Sequence, residues 1–180
     1  MTQLKDWMDA ILAASSFDEW LVVYLKATWL SQWVVDSRWV WPISETLHFI
    51  GLALLIGIIA PVDVRLMGFM RSVPLAALRR LVPWAVAGFV INLLTGLLFF
   101  VGTPEQYIAN ESWWLKVLFL VIAGVNMLLF ETTQRTRARA MEAGAPAPAA
   151  FKVIGGVSLV SWLMVLYWGR MLPFAVGASF

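Results

Sequence analysis

The chain contains one histidine, and it lies inside a long apolar run. His48 follows Glu45 by three residues, so on a helix the two share a face. Asp63 falls at the same helical angle as Glu45, five turns on and ~27 Å away at ~1.5 Å per residue. An imidazole beside a carboxylate can ligate a metal, hold a haem iron or pass a proton. Ionisable groups at membrane depth are costly, so those that persist are candidate sites.

Three readings of that face stand open. Glu-x-x-His is the spacing by which helical bundles hold di-iron, with one copy on each of two helices. One copy and one histidine exclude a self-contained dinuclear site, which leaves a mononuclear metal at His48 and Glu45 completed by a symmetry mate. The second reading is haem b on His48. Gly51, three residues on, would leave room for a flat macrocycle, and two His48 side chains from a dimer would supply both axial ligands. The third is structural. Glu45 would pair with Lys116, both in the outer first turns of their spans, and His48 would bond Glu45, a hydroxyl or a carbonyl. Asp63 with Arg65 reads as an interfacial anchor, with Arg71, Arg79 or Arg80 as a neighbouring partner. Asn92 and Asn126 read as glue between helices.

With no cysteine, disulfides, thiolate metal sites and covalently attached c-type haem are excluded. Phosphate loops, dinucleotide fingerprints and nucleophile triads are absent from the sequence, so a hydrolase or kinase has no residue to rest on.

These residues need helices in lipid to position them. The 180 residues are 61% hydrophobic and 13% charged, against the ~25% charged of a soluble domain. Apolar runs approach the ~20 residues that cross a bilayer core. We expect one integral membrane domain over 1–180, an all-α bundle of four transmembrane helices, with spans at about 43–62, 81–102, 113–130 and 153–169. Pro42 suits a first helical turn, and Pro61 should loosen the backbone near Gly57. Residues 17–35 read as an amphipathic helix lying in the outer interface, opened by a Ser16–Glu19 capping box. Its rival is a fifth, short span. Residues 140–150 read as a flexible linker. Gly155, Gly156, Ser158 and Ser161 offer close helix contact, and the scattered methionines read as packing.

Charge sets the orientation. Arg65, Arg71, Arg79 and Arg80 follow span 1; Arg135, Arg137, Arg139 and Lys152 follow span 3. Positive loops stay in the cytoplasm, which puts both termini outside, in the periplasm of a bacterial inner membrane. Trp7, Trp20, Trp29, Trp33, Trp39, Trp41, Trp113, Trp114 and Trp168 all map to the outer side, and Trp84 to the inner. Lys5, Asp6 and Asp9 interrupt the first 16 residues, which lack the apolar core of a secretory signal. The net charge of +2 and its confinement to loops fit a bilayer surface and imply no nucleic acid.

The pattern Trp41-Pro42-x-x-Glu45-x-x-His48-x-x-Gly51, followed by Asp63-x-Arg65-Leu66-x-Gly68, resembles a family of small bacterial inner-membrane proteins of unknown function. More distantly, the architecture is similar to the membrane domain of copper-resistance D-type proteins. The resemblance implies a four-helix bundle with Glu45, His48, Asp63 and Arg65 as signature positions, and no established activity.

The leading functional reading is a non-catalytic accessory or anchoring subunit of a membrane complex, with a redox complex as one setting. Its outer aromatic layer would dock other membrane or periplasmic subunits, or a second copy of the chain. The rival is an electron-transfer protein with haem b or metal at His48, acting as a dimer. A small transporter is the third class, for which spans 2 to 4 supply no buried ionisable pathway.

Overall fold

Four helices are long and apolar enough to cross a membrane, and the protein is an all-α membrane bundle of four spans. The computed structural model describes residues 16–174. The readings made for Lys5, Asp6, Trp7 and Asp9, and for a leader segment, lie outside the described residues.

Two short helices come first, α1 (Phe17–Lys26) and α2 (Trp29–Asp36). Ser16 caps α1 by accepting from the Glu19 N–H at 3.2 Å, as the capping-box spacing predicts. The single helix expected over 17–35 is broken at Thr28. That residue is extended, and its hydroxyl oxygen accepts from the Ser31 N–H at 3.3 Å to open a new helix. A threonine side chain competes with helix continuation in this way. With 10 and 8 residues, the two helices reach only ~15 and ~12 Å, short of the ~30 Å hydrocarbon core. Neither is a fifth span. They lean on the second span, where a Cβ added to Gly102 would come within 2.9 Å of Val34 Cγ1.

The first span is α3 (Val40–Leu66), a helix that runs on through Pro61. Its end explains the Asp-x-Arg-Leu-x-Gly pattern. The Phe69 N–H donates to Val64 O at 3.1 Å and the Gly68 N–H to Arg65 O at 3.1 Å, with Gly68 at φ +98°. This is a Schellman stop, which needs a residue free to adopt left-handed φ. Leu66 enters the core, and the Arg65 Nε donates to Val73 O at 2.8 Å, pinning the turn that follows.

The short helix α4 (Leu75–Arg79) leads into the second span, α5 (Val82–Gly102). Another, α6 (Glu105–Ile108), precedes the third span, α7 (Glu111–Thr133). A last short helix, α8 (Arg135–Arg139), precedes the fourth span, α9 (Ala149–Met171). Spans 1, 3 and 4 outrun their expected bounds because helix geometry continues through interfacial polar residues that hydropathy excludes.

Among the spans, α3 packs on α5 and α9, and α9 packs on α7, whereas α5 and α7 share no extended backbone contact. The spans therefore form a curved row, α5–α3–α9–α7, around a groove between its two ends. Small residues permit the closest approaches, as expected without a hydrophobic drive between helices. A Cβ on Gly51 would sit 2.8 Å from Gly88 O, and one on Gly155 would sit 2.7 Å from Asp63 O. Gly156, by contrast, faces open space. Asn126 Nδ2 donates across to Ile154 O at 3.0 Å, but Asn92 Nδ2 bonds Gly88 O of its own helix. The glue reading thus holds for Asn126 alone.

The two arginine-rich connections meet at one end of the bundle. Arg79 pairs with Glu131 at 2.7 Å, and the Gly144 N–H donates to Arg71 O at 2.8 Å. Leu66, Leu75, Phe130, Ala138, Ala147 and Phe151 close a small core there. The stretch expected as a flexible linker is thus pinned at Gly144 and Ala147. At the other, tryptophan-rich end, Lys26 pairs with Glu105 at 2.9 Å, and Asn110 Nδ2 donates to Leu172 O at 3.0 Å.

Candidate functional site

A cavity of about 520 Å³ opens at the tryptophan-rich end of the groove, with His48 in its wall. The ring is tethered across helices: Nδ1 lies 2.7 Å from the Thr95 Oγ1 of α5. Thr95 is buried, and its hydroxyl lies 2.7 Å from the Ile91 carbonyl oxygen one turn back. A hydroxyl has one proton to give. Donated to Ile91, it leaves the oxygen to accept from His48 Nδ1–H. That tautomer places the free lone pair on Nε2, which has no hydrogen-bond partner among the described residues. Phe99, one turn above Thr95, packs its ring 5.7 Å from the imidazole and 5.0 Å from Trp41.

Lys116 forms the opposite wall. The Glu45–Lys116 ion pair expected from sequence does not form. Among the described residues the ion pairs are Lys26–Glu105, Arg79–Glu131 and Arg135–Glu131. Lys116 instead turns inward. Its Nζ stands 5.7 Å from the centre of the Trp113 ring and 3.7 Å from where a Gly169 Cβ would be. It is the charged group that faces His48, while Glu45 stays exposed at the rim.

Gly51 does not leave room for a ligand. Its face is filled by α5, since a Cβ there would meet Asn92 Nδ2 at 2.5 Å. The glycines that line the cavity are Gly96 and Gly169, and a Cβ on Gly96 would lie 3.9 Å from His48 Cε1. Tyr107 of α6 closes the mouth, edge-on to Trp113 at 5.0 Å. Burial raises the pKa of its phenol, while a hydrogen bond with Thr103 works against the shift.

Among the described residues no three His, Asp or Glu side chains converge as a metal site. A metal at His48 and Glu45 would need ligands from a second chain. Asp63 and Arg65 do not pair either. Two residues apart on a helix, they point to different sides. Arg65 is fully buried toward Val73, whereas Asp63 lies beside Ser158 of α9. Of the arginines offered as its partners, Arg71 is engaged on Gly68 O and Arg79 on Glu131, and among the described residues Arg80 forms no ion pair with it.

Sequence reasoning chose His48, Glu45 and Lys116, and the structure brings all three to one cavity. It missed Thr95, Gly96, Phe99, Tyr107 and Gly169. The available signal was Thr95-Gly96, a hydroxyl and a gap in a span with no ionisable residue. No family model, curated protein or solved structure matches the chain.

Proposed function

We propose that this multi-pass membrane protein binds haem b in the outer cavity and serves as a small redox subunit of a membrane complex. The observation that carries the reading is His48, with Nδ1 tethered and Nε2 free in the cavity wall. Ligating imidazoles are held by such a bond on the other ring nitrogen, which fixes tautomer and orientation. Lys116, which has no ion pair among the described residues, supplies a counter-charge for a ligand carboxylate. Trp41, Phe99 and Trp113 offer flat apolar walls, and Gly96 and Gly169 leave space beside them. The volume of about 520 Å³ falls within the ~300–1,000 Å³ of small-molecule sites. When bound, haem supplies reversible one-electron chemistry, at a potential set by ligand, hydrogen bonding and burial. The wall facing His48 comes from the same chain, so this site does not depend on a second His48.

The partner surface in this reading is the tryptophan-rich end. Phe17, Trp20 and Tyr24 stack in an exposed ladder at 5.8 and 5.3 Å, and Trp29, Trp39 and Trp114 are exposed as well. A membrane or periplasmic subunit, or a second copy, would dock there. The positive-inside rule puts the arginine end in the cytoplasm of a bacterial inner membrane and both chain ends in the periplasm.

The test is the absorbance spectrum of protein purified from haem-supplied cells. A Soret band is expected, and His48→Ala should abolish it. No band, or one unchanged in that variant, overturns the haem assignment. The subunit assignment is read separately by co-purification in mild detergent, where an isolated monomer without companions overturns it.

A further inference from the structure

A second cavity, of about 320 Å³, occupies the same groove toward the arginine end. Phe89 and Trp162, in edge contact at 6.3 Å, line it. The walls are apolar except for a few polar groups, and nearly all of these are engaged. Asn126 bonds Ile154 O, and Arg79 pairs with Glu131 at 2.7 Å. Asp63 is only half engaged, through a side-chain hydrogen bond with Ser158. It is 3% exposed, and its Oδ2 is sealed from solvent without a hydrogen-bond partner. A buried carboxyl oxygen left without a donor is costly, and a cationic group placed against it would supply both donor and counter-charge, so the site is complementary to a positive charge.

We propose that this cavity binds a lipophilic cation or amine, which enters from the bilayer between α5 and α7 and pairs with Asp63. The entry route follows from the packing. The second and third spans share no extended backbone contact, and Val86 and Met127 on the two rims are exposed. Charge selects the occupant. Arg79 is neutralised by Glu131, so it offers nothing to an anion, and Asp63 has no ion pair among the described residues. The π-faces of Phe89 and Trp162 favour a cation further in a desolvated site. A neutral acyl chain would fill the volume without using Asp63.

The full chain in discs of zwitterionic lipid is titrated calorimetrically with tetraphenylphosphonium, and with tetraphenylborate as an anion of like shape. Heats from empty discs are subtracted. Saturable binding of the cation alone is expected, weakened about tenfold or more by Asp63→Asn. Gly124→Phe is the second variant. Gly124 lines the cavity and has nothing within 4 Å of its Cβ position, so a ring there occupies the space without displacing the fold, and binding should be lost. If Asp63→Asn does not fold, the cation–anion comparison and Gly124→Phe decide the matter. Equal binding of both ions, or full affinity in a folded Asp63→Asn protein, overturns the proposal and leaves an acyl-chain cavity.

Discussion

His48 of the first span and Thr95 of the second are joined by a 2.7 Å hydrogen bond, and this bond decides which imidazole nitrogen faces the outer cavity. Without it the ring would turn about its side-chain torsions and either nitrogen could present. With it the ring orientation is fixed, and with the Thr95 proton given to Ile91 O the exposed lone pair is that of Nε2. The tether also links the site to a close helix contact, since Gly51 and Gly88 lie just below it on the same two helices.

Thr95→Val keeps the shape of the side chain and removes the acceptor. Haem affinity should fall ~10–100-fold, the range for losing such a partner of a ligating group, and Thr95→Ser should recover most of it. Haem titration followed at the Soret maximum reads both. Equal affinity in Thr95→Val would show that packing alone orients the ring.

The α3–α5 contact should be intolerant of a single methyl group. Gly51→Ala places a Cβ 2.5 Å from Asn92 Nδ2 and 2.8 Å from a backbone oxygen. The helices must separate, at a cost of about 1–3 kcal/mol. Gly124→Ala meets nothing within 4 Å and should change stability by under ~0.5 kcal/mol. Reversible unfolding in mixed micelles compares the two, and equal values would contradict the close approach described above.

Tyr107 predicts an alkaline limit. Burial raises its phenol above the ordinary value of 10.0, so above that pH the unfolded chain loses its proton first. The unfolded state then binds fewer protons, and stability falls as pH rises. The loss should begin near pH 10 and end once the folded phenol also ionises. Tyr107→Phe should flatten that part of the stability curve. A wild-type profile that coincides with the Phe variant would refute the assignment.

Orientation can be read in whole cells, because the chain has no native cysteine. A cysteine placed at Gly144, among the arginine loops, should resist a membrane-impermeant maleimide. One placed at Gln106, at the tryptophan-rich end, should be labelled. The reverse pattern would turn the protein over in the bilayer and move the His48 cavity to the cytoplasmic side.

The sequence alone determined the solvent and the four spans, their ends only to within a few residues. Apolar runs of membrane length and the Ser16 cap are local signals, each read within a few residues of where it acts; Gly68 is a local signal as well, but span 1 was expected to end at about 62. Thr28 was a local signal too, but its capping role was overlooked and one interfacial helix was expected where two stand. What each polar side chain faces was decided by the tertiary structure. Thr95 lies 47 positions from His48, Lys116 turned from Glu45 to the cavity, Gly51 went to helix packing, and Asp63 found no arginine. The reason is the solvent itself. In lipid the outward face of a helix is as apolar as the inward one, so periodicity does not reveal which face is buried. Rotation and neighbour choice are then set by where glycines let backbones meet, and only the assembled bundle shows that.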